Sequence, residues 1–194
     1  MSSMKNLSYT KCILRNEHYK TTRELVSAAP IYEGSHRKLQ ANEVGFLGEV
    51  VAMQWLRRSG IAFEDRRELT THDLLIEGQY TLDIKTKDRT VKPLLHFDNS
   101  VPLYNHEHQQ PDWYLFVSLL RDKRADQNDL SRFREAYLVG AIDFATLEDV
   151  GKVWKAGETD PDNGTTFWTS CINVSMDQLT PLREACAAWN GTGV

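Results

Sequence analysis

Apolar residues in this chain recur at two different periods, and the switch between them maps the elements. From about Arg37 to Ser59 they return at helical spacing, with Phe46, Ala52, Met53 and Leu56 on one stripe and Gly60 where a C-terminal cap belongs. The period then drops to two. A strand is predicted around Ile61 to Arg66, and Leu74 and Ile76, then Leu82 and Ile84, alternate with polar residues on either side of Gly78. Trp113 to Leu120 is nearly continuous apolar sequence, which predicts a strand covered on both faces, and Ala136 to Ile142 predicts another. Shorter signals predict a helix over Asn16 to Ala28, a short helix capped by Asp143 and running to Val150, a strand within Thr166 to Val174, and a last helix opened by Thr180-Pro181 and ending near Trp189. Thr90 to Pro111, broken by Pro93, Pro102 and Pro111, reads as a long loop or lid, and residues 121–135 as a charged loop. The order predicts an α/β fold with a mixed central β-sheet flanked by helices. Residues 1–36 are expected to form an N-terminal arm and helix, and residues 37–194 one domain.

Composition narrows the class only slightly. The 194 residues are 41% apolar and 26% charged, ordinary for a globular domain with a substantial core. No apolar run reaches the length of a membrane span, and the N-terminus lacks the apolar core of a signal peptide. Cys12, Cys171 and Cys186 are odd in number and scattered, so a reduced, intracellular, cytoplasmic protein is expected. A net charge of −4 does not advertise a nucleic-acid binder. Locally, however, Arg57 to Lys92 holds eight Lys and Arg against seven acids, and some of those acids are candidates for neutralisation by a metal.

Those acids carry the chemistry. In a strand, Asp83 and Lys85 project from the same face, and Asp73 precedes them across the turn. Two carboxylates beside one ammonium can hold a hard divalent cation and steady an anion next to it, as phosphodiester hydrolysis requires. A solvated strand face would also account for Asp83, Lys85 and Lys87. Glu49 is harder to explain in that way, because it stands among the apolar residues of the long helix, and a buried carboxylate is costly unless paired or bound to metal. Its alternative is a place at the edge of the stripe, paired with an arginine such as Arg57.

Gly45-Phe46-Leu47-Gly48-Glu49-Val50-Val51-Ala52, followed by Asp73 and then Asp83-Ile84-Lys85, resembles the metal-binding core of the PD-(D/E)XK nuclease superfamily. The resemblance covers residues 42 to about 89 and is similar in flavour to archaeal Holliday-junction resolvases and Mrr-like restriction endonucleases. It implies a restriction-endonuclease-like core and a Mg²⁺-dependent (or Mn²⁺-dependent) nuclease acting on DNA, duplex or branched, as an endonuclease. It also implies Glu49, Asp73, Asp83 and the backbone carbonyl of Ile84 as metal ligands, with Lys85 positioning or activating water. Arg66, Arg67, Lys87 and Arg89 are the candidates for phosphate contact, and a homodimer is compatible with this family. Two departures stand out. His72 occupies the position before Asp73 where the family has proline, and the interval after Lys87 is broken by prolines where the family has a helix. The rival reading is a non-catalytic nucleic-acid-binding or interaction protein that keeps the fold.

The turn supplies a geometric expectation. With Gly78-Gln79 as a two-residue loop, Asp73 would fall opposite Ile84 and point away from Asp83 and Lys85. A three-residue connection or a β-bulge is therefore expected, with Gly78 supplying a positive φ. His106-Glu107-His108 is a poor metal signal in a proline-bounded loop, although its place after the lysine strand leaves room for a substrate-facing role.

Overall fold

The structure, a computed structural model, describes residues 9–28, 39–103 and 108–191. Its elements in chain order are β1 (Thr10–Ile13), α1 (Asn16–Ala28), α2 (Leu39–Arg58), β2 (Phe63–Asp65), β3 (Leu74–Ile76), β4 (Tyr80–Arg89), β5 (Asp98–Pro102), β6 (Trp113–Arg121), β7 (Phe133–Asp143), α3 (Phe144–Val150), β8 (Lys152–Trp154), β9 (Cys171–Ser175) and α4 (Leu182–Trp189). The fold is mixed α/β. A six-stranded sheet runs in the order β1-β7-β6-β4-β3-β2 and is antiparallel throughout except for the β4–β6 pair.

Each face of that sheet has its own core. Leu82 and Ile84 of β4 and Leu115, Val117 and Leu119 of β6 pack with Leu47, Val50, Val51 and Leu56 of α2, joined by Leu182, Ala185 and Trp189 of α4. Tyr114 and Phe116, one residue out of phase on β6, face the other way. They pack with Val101 of β5, Ile172 and Val174 of β9 and Leu147 of α3. The near-continuous apolar run of β6 is thus what a strand buried on both faces requires.

Most elements fall where the periodicity places them. Gly60 takes φ +72° behind α2, where Ile61 N–H donates back to Leu56 O at 3.0 Å, a glycine-terminated helix end. Asp143 caps α3 by accepting from Thr146 N–H at 2.9 Å. The interval after Lys87 is different from the expectation. It is not loop throughout: β5 lies within it and forms the edge of a second sheet, β5-β9-β8, which covers the far face of β6. Proline at the end of an edge strand costs no ladder hydrogen bond, which is why Pro102 is tolerated. The described part of this crossover contains no helix. Nor do residues 9–28 stand apart from the main domain, since β1 pairs with β7 and the Tyr19 hydroxyl donates to Phe133 O at 2.8 Å. Residues 29–38, including the predicted helix start at Arg37, lie outside the described residues.

Candidate functional site

The β3–β4 connection decides whether the carboxylates can meet. Leu74 pairs with Leu82 and Ile76 with Tyr80, so Glu77, Gly78 and Gln79 form a three-residue connection, one of the two arrangements expected to put Asp73 on the face of Asp83. Glu77 and Gly78 both take the left-handed conformation, with φ of +51° and +63°, and Gln79 N–H closes the turn on Ile76 O at 3.0 Å. The unusual φ at Glu77 is held from outside the turn. Its N–H donates to Ala62 O at 2.9 Å, and its carboxylate accepts from Ala62 N–H at 2.6 Å.

Asp73 stands where β3 ends. Its N–H donates to Leu82 O at 3.0 Å, and its Oδ2 accepts from Ile84 N–H at 2.7 Å. The side chain therefore occupies the place along the β4 edge that another β3 residue would have filled. Beyond Leu82 no β3 residue pairs with β4. Since the Leu82 carbonyl faces that edge, the Ile84 carbonyl two residues on faces it as well, past the end of the partner strand. Asp83, only 4% exposed, lies beside Asp73, and both carboxylates line a cleft of about 390 Å³ with Arg67, His72 and His108.

Lys85 and Asp83 form an ion pair, Nζ to Oδ2, at 2.5 Å. The approach is not that of an aligned hydrogen bond, and Asp83 Oδ2 remains a buried oxygen without one. The pairing is electrostatic, because a distance this short between opposite charges is attractive at any angle.

Glu49 reaches the site because α2 lies unusually close to β4. A Cβ at Gly48 would sit 1.8 Å from Thr86 Oγ1, so only glycine permits this approach. Its partner is Arg67, whose Nη1 donates to Glu49 Oε2 at 3.1 Å while its other guanidinium nitrogens hold Asp65. Arg57 instead lies over the Phe63 ring at 5.0 Å. Arg67 is placed by the β2–β3 pairing. Arg66 N–H donates to Asp73 O at 2.8 Å, which brings the next residue alongside the carboxylates.

The three acids feel one another. Burial, with Asp83 and Glu49 as like charges, pushes the Asp73 carboxyl well above the ordinary carboxylate range, against the opposing Ile84 N–H and Lys85. Burial, with Asp83 and Asp65 as like charges, raises Glu49 too, against the opposing Arg67. Hard oxygen donors around an oxygen without an aligned donor fit a divalent cation. Glu49 already pairs with Arg67 through Oε2, and among the described residues no three Asp, Glu, His or Cys side chains already converge as a metal cage.

The other expected contacts are placed less openly. Lys87 donates to Asp98 O at 3.1 Å, and Arg89 donates to Asp98 O at 2.5 Å and Ser118 Oγ at 3.2 Å, so both heads turn inward and tie β4 to β5. Arg66 pairs with Glu64 at 2.6 Å. His106 and Glu107 lie outside the described residues. The place of His72 and His108 on the cleft had no periodic signal to announce it. Among the described residues, no helix is long and apolar enough to cross a membrane. No protein-family model matches this chain, and no curated protein does. The site itself carries the functional reading.

Proposed function

We propose that this protein is a Mg²⁺-dependent nuclease, with Mn²⁺ as substitute, that hydrolyses phosphodiester bonds of DNA on a restriction-endonuclease-like core. The observation that carries the reading is the meeting of Asp73, Asp83 and Lys85 at the open edge of β4, which requires the three-residue connection. Asp73, Asp83, the Ile84 carbonyl and Glu49 are the groups that would hold the cation. When bound, it supplies positive charge against the phosphate oxygens and acidifies water. Lys85 sets an ammonium beside Asp83, where it orients a water for attack and offsets the negative charge carried by the phosphoryl oxygens in the transition state. Asp73 holds its carboxylate on Ile84 N–H, which fixes that oxygen before any substrate arrives.

One observation favours a second reading, a non-catalytic nucleic-acid-binding or interaction protein: Glu49 is already neutralised by Arg67. The two are separated by incubating the protein with linear duplex, single-stranded, flap and four-way-junction DNA in Mg²⁺, Mn²⁺ or EDTA. EDTA-sensitive products support the nuclease. Binding without cleavage on every substrate supports the second reading.

A further inference from the structure

Along β4 from the carboxylates, Ile84 and Lys85 line a second cleft, larger than the first at about 780 Å³. Its other walls include Lys87, Asn99, Ser100, Phe116 and Trp168. Two of these residues are anomalous. Trp168 is 96% exposed, whereas no other exposed large apolar residue among those described exceeds 57%. An indole is among the costliest side chains to leave in water, and it is common where a partner covers it. Asn99 is the opposite case. It is 1% exposed, yet its amide nitrogen has no hydrogen-bond partner among the described residues. A buried donor left unmet is destabilising, and a small rotation of the Asn99 amide would turn it toward an acceptor held in the cleft.

The size and chemistry of the cleft select its occupant. Small-molecule sites span roughly 300–1,000 Å³, so the volume of this cleft suits one or two nucleotides. An exposed aromatic face stacks any base without regard to sequence. Base edges offer the ring-nitrogen and carbonyl acceptors that an amide N–H lacks here. Lys85 lines this cleft and pairs with Asp83, which lines the first, so the phosphate of a nucleotide held here would lie beside it.

We propose that this cleft is a nucleobase pocket, in which an unpaired nucleotide stacks on Trp168 and offers an acceptor edge to Asn99. The substrate is then single-stranded or locally unpaired nucleic acid, not intact duplex. The inference rests on the nuclease reading for what happens to the phosphate, but base binding stands apart from cleavage.

The test uses the full chain in EDTA, with fluorescence anisotropy of a labelled single strand, the same sequence as a blunt duplex, and an abasic strand of equal length. The single strand is expected to bind about tenfold or more tightly than the duplex, with a similar loss in Trp168→Ala and most affinity kept in Trp168→Phe. The abasic strand should not distinguish the variants. Equal affinity for duplex and single strand overturns the proposal, as does Trp168→Ala within about twofold of wild type on the single strand. Cleavage assays in Mg²⁺ keep the two readings distinct. Base-dependent binding without cleavage of any substrate removes the nuclease and leaves the pocket. Cleavage that prefers duplex and ignores Trp168→Ala removes the pocket and leaves the nuclease.

Discussion

Ile84 donates its backbone N–H to Asp73 Oδ2 at 2.7 Å, so a side chain completes the edge of β4 where β3 stops. The same contact stations a carboxylate, repelled by Asp83 and Glu49, beside the Ile84 carbonyl. Asp73→Asn keeps an acceptor for Ile84 and removes the repelled charge. In EDTA it should be at least as stable as wild type by urea denaturation, while Asp73→Ala, which strands the N–H, should lose about 1–3 kcal/mol. Mg²⁺ should raise the midpoint of wild type and not that of Asp73→Asn.

Catalysis is expected to fail without unfolding when the strand charges are removed. Asp83→Asn should abolish metal-dependent cleavage, and Lys85→Ala should slow it by about 10²–10⁴-fold, the usual worth of a positioned acid or base. Both should retain the circular dichroism of wild type, because Leu82 and Ile84, on the opposite face of β4, carry the packing. Wild-type cleavage by either variant would remove Asp83 and Lys85 from the reaction.

Glu49 and Arg67 should behave as a coupled pair. Arg67→Met leaves the half-buried Glu49 against like charges and should cost about 1–3 kcal/mol, as leaving a polar group without its partner does. Glu49→Gln alone should cost far less, since burial already disfavours its charge. Adding Glu49→Gln to Arg67→Met should restore most of the loss. A double-mutant cycle by chemical denaturation measures the coupling, and simple additivity would show that the pair carries none.

Gly48→Ala should destabilise the protein by about 1–3 kcal/mol, because its Cβ has nowhere to go but into Thr86. Thr86→Ala in the same chain should recover part of that loss, since it removes the nearest atom, Oγ1, and leaves the Thr86 Cβ at 2.8 Å. Full stability in Gly48→Ala would mean that α2 can stand off from β4.

Lys87 gives the stability a pH signature. Burial first, then Arg89, lowers its ammonium from 10.5 to about 8, against the pull of Asp98 and Cys171. Between those values the unfolded chain binds the proton that the folded protein has released, so stability rises with pH through this window. Lys87→Met should lack that rise. The difference between the two proteins is best read from pH 8 to 10, below the point at which Arg89, lowered to about 10 by burial, adds its own contribution. A flat difference would show that Lys87 keeps its charge at little cost inside the fold.

Much of this protein was legible before its structure. The helix of Glu49, the strands of Leu74–Ile76 and Leu82–Ile84, and the doubly covered strand at Trp113 follow from local periodicity, because burying one face or two imposes the pattern directly. Asp83 and Lys85 share a face for the same reason. A three-residue connection or a β-bulge follows from the premise that Asp73 and Asp83 share a face, and the structure has the three-residue connection.

Partners distant in sequence belonged to the tertiary structure alone. β5 and β8 are short strands that exist because β9 pairs with them, and no local pattern announces the partner of β5 some 70 residues away. The choice of Arg67 over Arg57 for Glu49 depends on the β2–β3 register, and the inward turn of Lys87 and Arg89 depends on the carbonyl of Asp98. Sequence periodicity determines which face a side chain joins. What that side chain meets is decided by chain segments that only long-range packing brings together.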